Sequence, residues 1–155
     1  MKTETNHLLQ DYFISTDKSL ISIDTVHDYL CNHSYWAANI PLETVKRSIE
    51  HSLCFGIYHN NMQVGFARVI SDHATFAYLA DVFVLPEHRG KGLSKWLMQE
   101  IQNHPALQGL RRWMLATRDA HELYKQFEWQ EVSEEQRGRL MQRLFPDVYK
   151  LPSNK

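Results

Sequence analysis

A glycine-rich turn with several cationic side chains stands at the start of an amphipathic segment. The turn is RGKG, Arg89 to Gly92, with His88 before it and Lys95 shortly after it. A helix that begins here leaves its first backbone N–H groups unpaired and carries partial positive charge at this end. Glycines have no Cβ, so a ligand can approach the backbone closely. The pattern favours binding of a phosphate-like anion, with a plain strand-to-helix turn and solvated cations as the alternative.

Two familiar nucleotide-binding patterns do not fit this turn. A P-loop requires four residues between its glycines, whereas only Lys91 separates Gly90 from Gly92. A dinucleotide-binding fingerprint requires a third glycine at position 95, where this chain has a lysine. The anion is therefore expected to belong to another kind of ligand.

A carboxylate inside an apolar segment is the second candidate for chemistry. Asp81 lies in the stretch YLADVFV, where burial of a charge is costly unless the carboxylate has a partner. Such a group is either part of a functional site or a structural carboxylate paired with an arginine such as Arg68. The sequence leaves both interpretations open.

The composition limits what the anion could be attached to. The chain has 155 residues and 43% hydrophobic content, which predicts one globular domain over residues 1–155. It contains 17 Lys and Arg against 18 Asp and Glu, so its formal net charge is -1. We therefore expect no nucleic-acid partner and no electrostatic attachment to a membrane.

The sequence also gives an expectation for the cellular location of the protein and for its metal content. The first ten residues lack an apolar signal core, and no apolar run approaches the ~20 residues that span a bilayer, so we expect a cytoplasmic protein. Cys31 and Cys54 have no paired spacing and are interpreted as small buried apolar residues. The nine histidines show no metal-ligand spacing, and no metal is expected.

Periodicity predicts the elements that position these residues. Helices are predicted over residues 23–31, 42–51, 93–101 and 120–127. Strands are predicted near Asp11 and over residues 53–58, 63–71, 75–85 and 111–117. A turn at Asn60-Asn61 joins two of these strands. The tail GRLMQRLF could be a helix or a strand, and its apolar residues before Pro146 favour a strand lying on the sheet.

The element order has a consequence for the fold class. It reads β-α-α-β-β-β-α-β-α-β-β, counting the predicted strands of the tail. This order predicts an α/β fold, of the α+β type, with a mixed sheet and helices on both faces.

Two motifs in this chain resemble those of the GNAT superfamily of N-acetyltransferases. The family's motif A, Q/R-x-x-G-x-G/A, corresponds to Arg89–Ser94, and V-x-P-x-x-R before it begins at Val84. A second motif, A-x-x-L-Y-x-x-x-G-F, corresponds to Ala120–Trp129, where Glu128 replaces the usual glycine. The resemblance covers residues 53–129 and implies a small, bacterial-type, single-domain member.

The resemblance implies a mostly antiparallel sheet whose strands 4 and 5 splay apart around coenzyme A. The pantetheine arm would lie in the splay, and the diphosphate would lie on the N–H groups of the glycine-rich turn. The residues implied in cofactor binding are Val82, Phe83, Val84, Arg89, Gly90, Lys91, Gly92, Leu93, Ser94, Thr117, Ala120 and Tyr124. The protein would be a monomer or homodimer that uses acetyl-CoA and no metal.

The resemblance also implies an activity, transfer of an acetyl group to a primary amine, expected to be that of a small molecule. Tyr124 corresponds to a tyrosine that often protonates the leaving thiolate, with a core aromatic as the alternative. Asp81 or water would accept the proton of the amine, because Tyr78 replaces a catalytic glutamate of some members. A sensor that binds coenzyme A without catalysis is the alternative.

Acceptor identity is expected to depend on the loop between the first two helices. Tyr35 and Trp36 in this loop could cover an acceptor pocket together with Tyr78 and Asp81, or could simply anchor the loop.

Overall fold

A single five-stranded sheet forms the centre of the computed structural model, which describes residue 9 and residues 11–150. The strand order in space is the order in sequence. The strands are β1 (Tyr12–Ser15), β2 (Leu53–His59), β3 (Met62–Ser71), β4 (Phe76–Val84) and β5 (Arg112–Met114). Neighbouring strands from β1 to β4 are antiparallel, and β5 runs parallel to β4. The predicted mixed, mostly antiparallel sheet is confirmed.

Helices cover both faces of this sheet. They are α1 (Ile23–Asp28), α2 (Leu42–Glu50), α3 (Leu93–Gln102), α4 (His121–Lys125) and α5 (Glu134–Arg137). α1 continues directly into a π-helical turn at Tyr29–His33. The Ser22 hydroxyl caps α1 by accepting a hydrogen bond from the Thr25 amide at 3.2 Å. Among the described residues, no helix is both long and apolar enough to span a lipid bilayer.

The core has two layers because successive side chains of a strand point to opposite faces. On one face, Phe55 and Ile57 of β2 pack with the α3 side chains Leu97 and Ile101. On the other face, Cys54 of β2 packs in the cluster formed by α1 and α2. Burial raises the pKa of the Cys54 thiol to about 11, which keeps it neutral, as expected for a small apolar residue.

The hairpin between β2 and β3 has the predicted two-residue turn. Asn60 and Asn61 both have positive φ, 49° and 65°, in the left-handed region that asparagine tolerates. This turn fixes the register of β2 against β3.

Strands β4 and β5 separate soon after they pair. Their ladder has three pairs, ending at Tyr78 and Met114. On the other side of β4, the register against β3 shifts between Phe66 and Arg68, where β4 contains one extra residue. Asp81 lies in this bulge with a φ of 56°. The predicted splay of strands 4 and 5 is confirmed.

The prediction of a strand in the tail is wrong. Residues 138–150 form no strand, and Leu144 and Phe145 are 67% and 62% exposed. The apolar residues of the tail come in adjacent pairs. Because neighbouring side chains of a strand point to opposite faces, no strand register would bury all of them on one face. Strand β5 is also shorter than the predicted 111–117, because its partner β4 diverges after Tyr78.

Glu128 occupies the turn after α4, where the family motif has glycine. Its φ is 68°, a left-handed conformation that costs a non-glycine residue about 1–2 kcal/mol. The aromatic anchor of this motif remains in place, since Trp129 packs against Tyr124 with ring centroids 5.9 Å apart. The turn therefore forms, under backbone strain.

Replacing Glu128 by glycine should relieve this strain and raise the free energy of unfolding by about 1 kcal/mol. Urea denaturation measures the change. Glu131→Gly is the matched control, because Glu131 is exposed and lacks a positive φ, so glycine there should lower stability. A Glu128→Gly variant less stable than the parent would contradict the assignment of strain.

Candidate functional site

The glycine-rich turn ends at the first residue of α3. Gly92 is the N-cap of this helix with a φ of 80°, and Gly90 has a φ of 78°. A Cβ built on either glycine would meet no protein atom within 4 Å. The turn therefore needs glycine for its backbone conformation, and the space beside it is open to a ligand.

The backbone amides of this turn are unpaired within the described part of the chain. The first helical bond runs from the Trp96 amide to the Gly92 carbonyl at 3.1 Å, and the amides of residues 90–95 donate to no protein acceptor. Lys91 and Lys95 are exposed beside them. Unpaired N–H groups, the helix dipole and two cations together make a site for an anion.

Arg89 is turned away from these amides. Its Nε donates to the Val84 carbonyl at 2.8 Å, and Nη2 donates to the Tyr29 hydroxyl at 3.0 Å. The guanidinium thus ties the turn to the end of β4 and to the helical layer. It also occupies the Val84 carbonyl, one of the backbone groups expected to contact a pantetheine arm.

A cavity of about 360 Å³ opens where β4 and β5 splay. It brings together eight of the residues predicted to form the site: Tyr35, Trp36, Tyr78, Asp81, Val82, Thr117, Ala120 and Tyr124. The remaining predicted residues, Val84 and Arg89 to Ser94, belong to the glycine-rich turn and its approach. Phe83 and Leu93 are 3% and 2% exposed, so only their backbones can reach a ligand.

Tyr124 projects from α4 into this cavity. The residue is only 8% exposed, and its hydroxyl has no hydrogen-bond partner among the described residues. Burial, with smaller contributions from Tyr35 and Asp119, raises the pKa of Tyr124 to about 12. The phenol therefore stays protonated at neutral pH and can donate its proton to a group within the cavity.

Asp81 is held from two sides at the bulge. Its Oδ2 accepts a hydrogen bond from Arg68 Nε and its Oδ1 accepts one from Trp36 Nε1, each at 2.8 Å. Arg68 also donates to the Ser52 hydroxyl at 3.1 Å. The side chains of Asp81 and Arg68 are 9% and 16% exposed. This is the arginine-paired arrangement that the sequence left open, and the carboxylate keeps further lone pairs that face the cavity.

Tyr35 and Trp36 connect the two sides of the cavity. The Tyr35 hydroxyl accepts a hydrogen bond from the Arg118 amide at 2.9 Å, and the Arg118 guanidinium lies 3.9 Å from the centre of the Tyr35 ring. Tyr35 and Trp36 meet edge to face at 5.0 Å. They are 45% and 41% exposed, so the loop covers the cavity instead of filling the core.

Three polar or charged residues of the cavity wall were not predicted from the sequence as site residues. Arg68 was considered only as a partner of Asp81, and Asp119 follows Thr117 in the loop before α4. Tyr149 comes from the tail and has no local sequence signal that marks it. Within the described residues, no three His, Cys, Asp or Glu side chains converge as metal ligands would.

Comparison with known proteins gives a consistent result. The profile described as "Acetyltransferase (GNAT) domain" matches residues 50–131. A protein of Gibberella zeae provisionally named an acetyltransferase is 35% identical over 136 residues, covering 74% of this chain and 76% of that protein.

Solved structures extend the similarity. The crystal structure of a provisionally named GNAT-family acetyltransferase from Xanthomonas campestris pv. campestris is 52% identical, with a TM-score of 0.87 over 90% of this chain and 97% of that chain. A provisionally named acetyltransferase of Clostridium acetobutylicum, solved with acetyl-CoA, has a TM-score of 0.61 over 79% and 91% of the two chains. At 15% identity it shows the shared fold alone.

The pair of Arg68 and Asp81 predicts a specific mutational cycle. Arg68→Met leaves a mostly buried carboxylate without its cation and should lower the free energy of unfolding by about 2–4 kcal/mol. Asp81→Asn should also destabilise, and the double variant should lose less than the sum of the two by at least ~1 kcal/mol. Chemical denaturation of all four proteins measures this coupling.

Arg139→Met is the control for this cycle. Arg139 pairs with Glu135 at 2.7 Å, but both side chains are more than 70% exposed, so the change should cost less than about 1 kcal/mol. If Arg68→Met and Arg139→Met lowered the free energy of unfolding equally, burial of the Arg68–Asp81 pair would have no energetic consequence.

Proposed function

This chain belongs to the GNAT acetyltransferase family, and we propose that it transfers the acetyl group of acetyl-CoA to the primary amine of a small molecule. The observation that carries the proposal is the unpartnered, protonated Tyr124 hydroxyl in the cavity at the splay of β4 and β5. The anion site at the start of α3 supports it, because a coenzyme A ester needs a place for its phosphates.

The residues of the turn fit the cofactor. The amides of residues 90–94 would hold the diphosphate, with the exposed Lys91 and Lys95 adding positive charge. The edge of β4 that faces away from β3 has lost its partner β5 beyond Tyr78, so the backbone at Val82 would hold the pantetheine arm. Acetyl-CoA supplies an activated thioester, and the chain itself has to bind, orient and move protons.

The amine must lose a proton before it can attack. An alkylammonium ion has a pKa near ~10.4 in water, so a proton acceptor is needed at neutral pH. Asp81 would accept a hydrogen bond from the amine through its remaining lone pairs, while Arg68 and Trp36 hold the carboxylate in place. The proton passes to Asp81 or, by way of it, to water. No glutamate is available at position 78, where the chain has tyrosine.

Tyr124 acts on the leaving group. The C–N bond forms as the C–S bond breaks, and the thiolate takes the phenolic proton of Tyr124 to leave as a thiol. The amine nitrogen loses a second proton as the amide forms, and this proton restores the phenol through solvent. Because burial raises the pKa of Tyr124 to about 12, the donor is present in the protonated form at the working pH.

A coenzyme A-binding sensor without catalysis is the second candidate. It is favoured by one observation, that both oxygens of Asp81 already accept hydrogen bonds from Arg68 and Trp36. A thiol-release assay with acetyl-CoA and a panel of primary amines separates the two candidates. Enzyme activity predicts amine-dependent release, whereas a sensor predicts binding of acetyl-CoA with no release above the background for any amine.

Gly92→Val tests the anion site. Valine would project into the space beside the amides, and we expect coenzyme A affinity to fall more than ten-fold, a loss of at least ~1.4 kcal/mol. Isothermal titration calorimetry with coenzyme A measures it. Gly109→Val is the matched control, because Gly109 also has a positive φ, 73°, and open space around its Cβ position. Equal affinity for both variants would sink the site assignment.

Arg89→Ala is expected to have a smaller effect on the same affinity. The arginine positions the turn through Val84 and Tyr29, and the backbone donors remain when its side chain is removed. A loss as large as that of Gly92→Val would assign the binding energy to the guanidinium instead of the amides.

Tyr124→Phe tests the proton donor. The ring remains packed against Trp129 while the hydroxyl is lost, so we expect turnover at saturating substrates to fall about 10²-fold or more. Coenzyme A affinity and folding should change little. Steady-state kinetics with whichever amine first supports thiol release measures the effect.

Tyr58→Phe is the matched control for this variant. Tyr58 is 2% exposed, its hydroxyl is also unpartnered, and burial raises its pKa to about 12 as well, yet it does not line the cavity. We expect its turnover to stay within about two-fold of the parent. If Tyr124→Phe behaves the same way, the donor must be another hydroxyl or water.

A further inference from the structure

Resting on the proposed function, we infer that the acceptor is a monocationic primary amine with an aromatic body, and that Tyr149 of the tail selects it. The inference depends on which side chains line the cavity, on their charges, and on how the tail is attached. No sequence motif of the chain indicates this substrate class or marks Tyr149.

Aromatic side chains line much of this cavity. Tyr35, Trp36, Tyr78 and Tyr149 all belong to its wall, and they come from three segments of the chain: the loop before α2, strand β4 and the tail. Among the described residues, the rings of Tyr78 and Tyr149 form no aromatic pair, and their hydroxyls donate no hydrogen bond to the protein. Their hydroxyls, and the ring surfaces that are not packed against the core, are therefore available to a flat ligand, and aromatic pairing contributes about 0.5–1.5 kcal/mol beyond burial.

The charges of the cavity wall restrict the acceptor further. Its charged residues are Arg68, Asp81 and Asp119, which gives a net charge of -1. Among the described residues that line the cavity, Arg68 is the one cation, and it is already paired with Asp81; Arg118 lies outside this lining, over the Tyr35 ring. One uncompensated carboxylate matches a single ammonium group. Sugar phosphates and amino acids with a free carboxylate are thus poor matches, whereas an arylalkylamine fits.

Tyr149 is the one residue of the described tail, 138–150, whose side chain is not exposed. Its side chain packs against the α1–α2 core cluster while it lines the cavity. The neighbouring Phe145 and Val148 are 62% and 67% exposed. The hydrogen bonds of this part of the tail are local turn bonds, such as that from the Val148 amide to the Phe145 carbonyl at 3.2 Å.

This attachment explains why Tyr149 would select the acceptor. The Tyr149 ring is the main contact that holds this side of the cavity wall in place. The wall would therefore pack more tightly when a ligand ring fills the space beside Tyr149. A small aliphatic amine reaches Asp81 without touching that wall, so it gains nothing from Tyr149. The expected signature is therefore a preference in KM for aromatic amines that disappears when the Tyr149 ring is removed.

The experiment compares 2-phenylethylamine, n-propylamine and glucosamine 6-phosphate as acceptors with the parent and three variants. We expect the parent to prefer 2-phenylethylamine over n-propylamine by at least ~10-fold in kcat/KM. Tyr149→Ala should remove this preference by raising the KM for 2-phenylethylamine about ten-fold, with the KM for acetyl-CoA unchanged. Tyr149→Phe should retain it, because the ring remains.

Phe145→Ala is the matched control. It removes an aromatic ring from the same tail segment, but Phe145 does not line the cavity, so the preference should be unchanged. Thermal denaturation of each variant checks that the fold is intact. Retention of the preference in Tyr149→Ala, or an equal change for both unphosphorylated amines, would overturn the role of Tyr149.

The outcomes separate this inference from the proposed function. Turnover of n-propylamine without any preference for the aromatic amine overturns the inference and leaves the acetyltransferase activity intact. A preference for glucosamine 6-phosphate overturns the assigned substrate class. No thiol release with any amine, despite binding of acetyl-CoA, overturns both the inference and the proposed function.

Discussion

The bulge at Asp81 is the constraint on which the site depends. A left-handed backbone at an aspartate costs about 1 kcal/mol or more, and the hydrogen bonds from Arg68 and Trp36 to its carboxylate hold it there. The bulge lies three residues beyond Tyr78, where the ladder between β4 and β5 ends. Because the extra residue turns β4 away from its parallel neighbour, the sheet opens between β4 and the edge strand β5 and leaves room for a ligand there.

Backbone groups and side chains have different proposed roles at the opening between β4 and β5. In the proposed binding mode, the anion site would use backbone amides of the glycine-rich turn. The cavity would use the side chains of Tyr124 and Asp81 for proton transfer, and side chains from the α1–α2 loop and the tail for the acceptor. Burial raises the pKa of Tyr124 to about 12, which keeps the phenol protonated, and it would also exclude water from a bound thioester.

Most of the fold could be predicted because local patterns and tertiary structure agree. The alternation of β2 and β3, their Asn60-Asn61 turn and the four-residue spacing along α3 each indicate one structure, and the glycine-rich turn identified the family. The ends of β5 and the path of the tail could not be predicted, since both depend on which strand lies alongside. The same limit applies within the site. The sequence named Arg68 as a possible partner of Asp81 but could not decide between a paired and a functional carboxylate, and Tyr149 reaches the cavity only through the course of the tail.

A crystal structure of the chain with coenzyme A measures the distance from the thiol sulfur to the Tyr124 hydroxyl oxygen. We expect the diphosphate on the amides of residues 90–94, the pantetheine arm in the splay, and the sulfur within roughly 4 Å of that hydroxyl. A sulfur that lies on the far side of β4, or a coenzyme bound away from the glycine-rich turn, would contradict both the proposed binding mode and the role of Tyr124.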